Sequence, residues 1–178
     1  MVDHRILIKQ EELRDIIERL AEAVSAFYSG KHITALVLLE GAKYFAQDLL
    51  AEIDVPFDVE FLKVSSYRGT VSGGTVSLDA DETIAQRLRD KHVLIIDDIF
   101  DSGRTLYHLL NWIEDSRPAS VKTCVLLEKE IARDAEVRID FSGLTVPDVF
   151  VIGYGMDFDG QYRELPFVAE LASECIKE

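Results

Sequence analysis

In the stretch VLIIDDIFDSGRTL, residues 93–106, four apolar residues run straight into Asp97 and Asp98. A second polar group, Asp101-Ser102-Gly103-Arg104-Thr105, follows before the apolar spacing turns helical. Core packing asks for none of this. Where a loop meets a helix start, free backbone N–H groups and the helix dipole bind an anion, a glycine allows close approach, and Ser and Thr hydroxyls add donors. Ser102, Gly103, Arg104 and Thr105 therefore read as a phosphate cradle. Asp97 and Asp98 cannot meet phosphate favourably, but carboxylates hold sugar hydroxyls or a hydrated Mg²⁺, which a pyrophosphate brings with it. Acids and cradle together suit a phosphorylated sugar.

These residues need a frame to position them. From residue 11 to 28, Leu13, Ile16, Ile17, Leu20, Val24, Phe27 and Tyr28 recur at helical spacing, and Gly30 stands at the C-cap position. ITALVLL, residues 33–39, is a continuous β-rich run that ends in Glu40-Gly41, after which AKYFAQDLLAEI reads as a helix. FDVEFLKV predicts a strand with one polar face, and SSYRGTVSGGT after it predicts a mobile loop. HVLII reads as a buried strand, RTLYHLLNWIEDS as a helix with Leu106, Leu109, Leu110 and Ile113 inward, and VKTCVLL and VFVIGY as the remaining core strands. Strands alternating with helices predict a parallel α/β sheet. Ligands of such sheets lie beyond the carboxyl ends of the strands, where EGA, DDIFDSGRT, EKE and GYGMDFDG all fall.

The chain has 178 residues, 48% of them hydrophobic, which predicts one domain with an ample core. A formal net charge of -14 repels duplex phosphates and argues against nucleic acid as a partner, so an anionic ligand needs a local cradle. Cys124 and Cys175 show no metal or redox spacing, and the expected compartment is a reducing cytoplasm. The N-terminus lacks a signal-type apolar core, and no apolar run reaches membrane-spanning length.

Residues 93–106 resemble the phosphoribosyl pyrophosphate signature of type I phosphoribosyltransferases, a strand followed by two acids and a D-[ST]-G-x-T loop. LLEGAKYFAQDLL, VSSYRGTVSGG, VLLEK and PDVFVIGYGMDFDGQYRELPFVAEL resemble, in order and spacing, segments of the hypoxanthine-guanine branch, and the likeness runs from about residue 33 to 171. The resemblance implies a central parallel sheet flanked by helices with a small hood lobe, in a single domain over residues 1–178. It implies purine salvage: transfer of 5-phosphoribosyl from phosphoribosyl pyrophosphate to N9 of hypoxanthine or guanine. A sensor protein of the same fold, or xanthine as the main base, are the alternatives.

The resemblance also assigns roles. Ser102, Gly103, Arg104 and Thr105 would bind the 5′-phosphate. Asp97 and Asp98 would face ribose hydroxyls and Mg²⁺, and Asp101 would be the catalytic base near purine N7. Lys129 would donate to the exocyclic O6, Phe150 would stack on the purine, and Val151 would offer backbone groups to its edge. Asp157 would bind a second Mg²⁺, Arg163 would reach the pyrophosphate, and Ser66 and Tyr67 would belong to a lid over residues 65–77. The family also implies a homodimer or homotetramer. Where its members often carry Lys in a Leu-Lys-Gly turn, this chain has Leu39-Glu40-Gly41, and Glu40 and Gly41 would meet the pyrophosphate through their backbone, commonly with a non-proline cis peptide.

Overall fold

The computed structural model describes residues 4–66, 76–78, 82–131 and 137–172. Its elements in chain order are β1 (His4–Ile8), α1 (Gln10–Phe27), β2 (Ile33–Leu39), α2 (Lys43–Glu52), β3 (Phe57–Ser66), β4 (Val76–Leu78), α3 (Glu82–Leu88), β5 (His92–Phe100), α4 (Arg104–Asp115), β6 (Ser120–Lys129), β7 (Phe141–Val146), β8 (Val151–Ile152) and β9 (Val168–Leu171). Helix α1 opens with Glu11 and Glu12 in its first turn, where carboxylates favour the dipole, and the Lys9 amide donates to Glu12 Oε2 at 2.8 Å. It buries Leu13, Ile16, Ile17, Leu20 and Val24 along the stripe that the spacing predicts.

The main sheet runs β4-β3-β2-β5-β6-β7, with β3, β2, β5, β6 and β7 mutually parallel and β4 antiparallel on β3. Period-two alternation divides its side chains between two cores. Ala35, Val37, Leu94, Ile96, Cys124 and Leu126 pack with α1 and α2, while Leu36, Leu38, Val93, Ile95 and Val125 pack with Leu88 of α3 and Leu106, Leu109 and Ile113 of α4. Buried on both faces, the central strands can be continuous apolar runs. A separate antiparallel sheet, β1-β9-β8, forms the hood, with Ile152, Ala169 and Leu171 at its centre. The chain leaves β2 toward β3 on one side, then returns to β5 on the other. The carboxyl ends of β2 and β5 thus flank the point where strand order reverses, which is where α/β sheets bind ligands.

Four details differ from the sequence reading. Strand β5 does not stop at Ile96 but stays in register with β6 to Phe100, so Asp97 and Asp98 sit within the strand end rather than in a loop. VFVIGY is not a core strand: only Val151 and Ile152 are extended, and they pair in the hood. The outer parallel strand is instead FSGLTV, whose polar residues suit an edge with one exposed face; a Cβ on Gly143 would collide with the Leu126 carbonyl of β6. Of the predicted mobile loop, Ser65 and Ser66 belong to β3, and residues 67–75, including Tyr67, lie outside the described residues.

Candidate active site

The turn after β2 is built from backbone. Leu39-Glu40 is a cis peptide, the Ala42 amide donates to the Leu38 carbonyl at 3.2 Å, and the Lys43 amide donates to the Glu40 carbonyl at 3.3 Å. Glu40 is exposed. Gly41 is pressed against the carboxylate of Asp98 so closely that a Cβ there would overlap it, and the Gly41 carbonyl touches the Cα of Gly155 in the hood. Only glycine fits between them.

From the adjacent end of β5, half-buried Asp97 and Asp98 enter the same space, with the Asp98 amide donating to Asp97 Oδ1 at 3.1 Å. Burial holds Asp97 well above the usual carboxylate range, and the neighbouring Asp98 raises it further. Burial raises Asp98 as well, partly offset by its hydrogen bond with Asp97 and, to a lesser degree, by the Arg163 charge. Two neighbouring acids whose charged forms burial disfavours, at the end of one strand, form a site prepared for a cation.

Beyond Phe100 the chain turns through Asp101, Ser102 and Gly103 into α4. Gly103 is buried at φ +83°, a conformation that favours glycine, and as N-cap it brings no side chain to the helix start. The first turn of α4, where Thr105 faces the cleft, is thereby kept available to an anion. Arg104 is exposed, and its amide lies 3.5 Å from Ser102 Oγ.

Lys129 ends β6. Its residue type in a mixed-charge stretch suggests a surface lysine, and only the resemblance gives it a site role; it is 9% exposed, with Nζ 3.5 Å from Asp101 Oδ2 and 3.5 Å from Asp148 Oδ1. A buried ammonium needs such partners. From the hood, Phe150 packs edge-on against Phe158 at 5.5 Å between centroids, and Val151 is buried in β8. Arg163 donates from Nη1 to the Gly155 carbonyl at 2.5 Å and places Nη2 2.6 Å from Asp157 Oδ1, while the Gly160 amide donates to Asp157 Oδ2 at 2.8 Å.

These pieces meet in one cleft of about 380 Å³. Glu40, Gly41, Asp97, Asp98, Asp101, Thr105, Lys129, Phe150, Val151, Asp157 and Arg163 all line it, with Ser102, Gly103 and Arg104 at the start of the adjoining helix. The sequence reading missed Leu38, Leu39, Val64, Ile99 and Met156, apolar residues that also line it and that carry no signal apart from core residues. The Ser66 side chain and Tyr67, the expected lid residues, lie outside the described residues.

Residues 5–159 match the phosphoribosyl transferase domain family. The chain is 37% identical over 168 residues to a hypoxanthine-guanine-xanthine phosphoribosyltransferase of Tritrichomonas foetus, covering 94% of this chain and 91% of the relative. It is 39% identical over 171 residues to a hypoxanthine-guanine phosphoribosyltransferase of Lactococcus lactis, covering 96% and 92%. A solved hypoxanthine phosphoribosyltransferase from Trypanosoma cruzi, a point variant in a ternary complex with substrates, is similar with a TM-score of 0.87 at 34% identity over 98% of both chains. The acid pair, the glycine-shaped turn and the α4 start occupy the strand-order reversal of a sheet shared with these proteins, and this chain belongs to the phosphoribosyltransferase family, in its hypoxanthine-guanine branch.

Proposed function

We propose that this chain transfers the 5-phosphoribosyl group of phosphoribosyl pyrophosphate to N9 of hypoxanthine or guanine, releasing the nucleoside monophosphate and pyrophosphate in purine salvage. The observation that carries this reading is the meeting of buried Lys129 with Asp101, in the same cleft as the Asp97–Asp98 pair and the Gly41 turn. Each part takes one portion of the reaction. The start of α4 with Ser102 and Thr105 holds the 5′-phosphate, and Asp97 and Asp98 hold the ribose hydroxyls. As the C1–O bond breaks, its electron pair leaves with pyrophosphate, which meets the backbone of Glu40 and Gly41 and the guanidinium of Arg163. N9 attacks the positively charged sugar carbon while Asp101 accepts the purine's N7 proton. Lys129 donates to O6, Phe150 stacks on the base and the Val151 backbone meets its edge.

Asp97 and Asp98 also fit Mg²⁺, a hard cation that keeps several waters and takes one or two carboxylates plus substrate oxygens. Among the described residues no three carboxylate, His or Cys side chains are grouped to hold a metal by themselves, so substrate oxygens would complete the shell. Mg²⁺ bound there would neutralise charge on the leaving pyrophosphate. A second Mg²⁺ at Asp157 would share that carboxylate with Arg163 and the Gly160 amide.

Residues 1–178 act in this reading as one unit, with residues 65–77 as a lid. It works as a homodimer or homotetramer in the cytoplasm. Assembly is supported by the α2-side face of β3, where Phe57 and Phe61 are left exposed, Phe61 at 55%. Incubating purified protein with phosphoribosyl pyrophosphate, Mg²⁺ and hypoxanthine, guanine, xanthine or adenine in turn, and following nucleotide formation by chromatography, tests the reading. Turnover of the oxopurines with little adenine turnover is expected, and the xanthine rate decides between the two branches named among the relatives. No nucleotide from any base overturns the reading.

A further inference from the structure

Three consecutive residues of the hood, Gly153, Tyr154 and Gly155, have φ values of +91°, +49° and +99°. Glycine adopts such backbone freely, whereas a bulky residue does so only where its surroundings hold it there. The surroundings of Tyr154 are specific. Its side chain is buried at 7% exposure, its amide donates to the Leu165 carbonyl at 2.9 Å, and its ring tilts against Tyr44 of α2 at 6.4 Å between centroids. Its hydroxyl donates to Asp48 Oδ2, also on α2, at 2.5 Å. Burial and the Asp48 carboxylate both raise the hydroxyl above its ordinary range, so it stays a donor.

The next residue closes a ring of contacts. The Gly155 amide donates to the Arg163 carbonyl at 2.9 Å, the Gly155 carbonyl accepts from Arg163 Nη1, and the Gly155 Cα rests on the Gly41 carbonyl. Gly41 leads directly into α2, the helix that carries Asp48. The hood turn is therefore pinned to the α2 unit at two places, by Gly41 at its start and by Asp48 further along. Met156, Asp157 and Arg163 hang from the same hood turn.

We propose that Tyr154 and Asp48 are positioning residues whose hydrogen bond ties the hood turn to α2 and sets the spacing between the Gly41 turn and Arg163. The two groups that meet the leaving pyrophosphate, one from the main sheet and one from the hood, are thereby held in one register. The proposal rests on the phosphoribosyl-transfer reading above. A hydrogen bond to a carboxylate is strong enough for this, and misplacement of a clamp by about 1 Å is enough to slow a reaction.

The test uses the full chain with Tyr154→Phe, Asp48→Ala, both together, and Asp48→Asn, which keeps an oxygen acceptor. Tyr154→Phe and Asp48→Ala should each raise KM for phosphoribosyl pyrophosphate three- to tenfold and lower kcat by a similar factor. The double variant should be no worse than either alone, and Asp48→Asn should recover most of the loss seen in Asp48→Ala. Thermal melting of each variant separates this from a stability effect, which would lower Tm and leave KM unchanged. Asp48 is exposed on its helix, and alanine favours helices, so that variant decides the matter even if Tyr154→Phe unfolds. Inactive wild type would count against the phosphoribosyl-transfer reading itself. Active wild type whose variants keep KM and kcat within twofold, or whose double variant shows the product of the single losses, overturns the positioning role alone.

Discussion

Lys129 and Asp101 approach each other across the cleft, from the end of β6 and the turn after β5, with Nζ 3.5 Å from Oδ2. One is a permanent donor and the other an acceptor, and a purine between them would present O6 to the first and N7 to the second. Their loss should have different signatures. Asp101→Asn should lower kcat on the order of 10²-fold while sugar-substrate binding changes little, because a base acts in the transition state. Steady-state kinetics with calorimetry of phosphoribosyl pyrophosphate binding checks this, and an unchanged kcat would remove Asp101 as base.

Lys129→Ala should act on recognition. A buried carbonyl that loses its donor costs about 1–3 kcal/mol, so KM for hypoxanthine should rise about five- to 150-fold and discrimination against adenine should relax. Measuring both bases with the same variant decides between a reader of O6 and a lysine that serves only the ion pairs with Asp101 and Asp148. Unchanged base selectivity would favour the second.

Much of this arrangement was legible because its signals are local. An apolar run entering two acids and a D-S-G-R-T turn needs no distant partner to be noticed, and the α1 stripe from Leu13 to Val24 is set by spacing alone. Lys129 was different: strand register brings Asp101 and Asp148 to its ammonium at a position only 9% exposed, which its residue type alone does not announce. The edge strand β7 was missed because Ser142, Gly143 and Thr145 dilute its apolar content, and Gly143 is there for close approach to β6. VFVIGY is as apolar as a core strand, but Gly153, Tyr154 and Gly155 at positive φ turn the chain out of extended backbone after Ile152. The contact between Tyr154 and Asp48 spans 106 positions and had no local trace.

The acid pair has a consequence for stability. A carboxylate raised in the folded state binds more protons there than in the unfolded chain, so its contribution to stability falls as pH rises from the ordinary carboxylate value through the raised one. Above the ordinary carboxylate range the buried Asp97 carboxyl therefore works against folding, as groups kept for function often do. Asp97→Asn should raise Tm of the ligand-free protein at pH 7 by about 2–4 °C, the equivalent of about 1 kcal/mol in a chain of this size, while weakening phosphoribosyl pyrophosphate binding. The gap should narrow on acidification toward pH 5. Melting curves of both proteins across this range test it, and a variant less stable than wild type at pH 7 would show that the Asp97 carboxylate is stabilised as an ion.

The turn after β2 separates backbone from side chain. Gly41 has the Asp98 carboxylate on one side and Gly155 on the other, while the adjacent Glu40 is exposed. A carboxylate aimed at pyrophosphate in a partly dry cleft would be repelled by several kcal/mol at short range, on the order expected for like charges at reduced dielectric. Glu40 should therefore direct its charge to solvent or to a cation of a neighbouring subunit, leaving the backbone to meet the ligand. Glu40→Ala should then change KM for phosphoribosyl pyrophosphate about threefold or less, as removal of a peripheral charge does. Gly41→Val should abolish activity, because its side chain would have to displace the Asp98 carboxylate. If Glu40→Ala instead tightens phosphoribosyl pyrophosphate binding tenfold or more, the carboxylate faces the leaving group, and this placement of Glu40 is wrong.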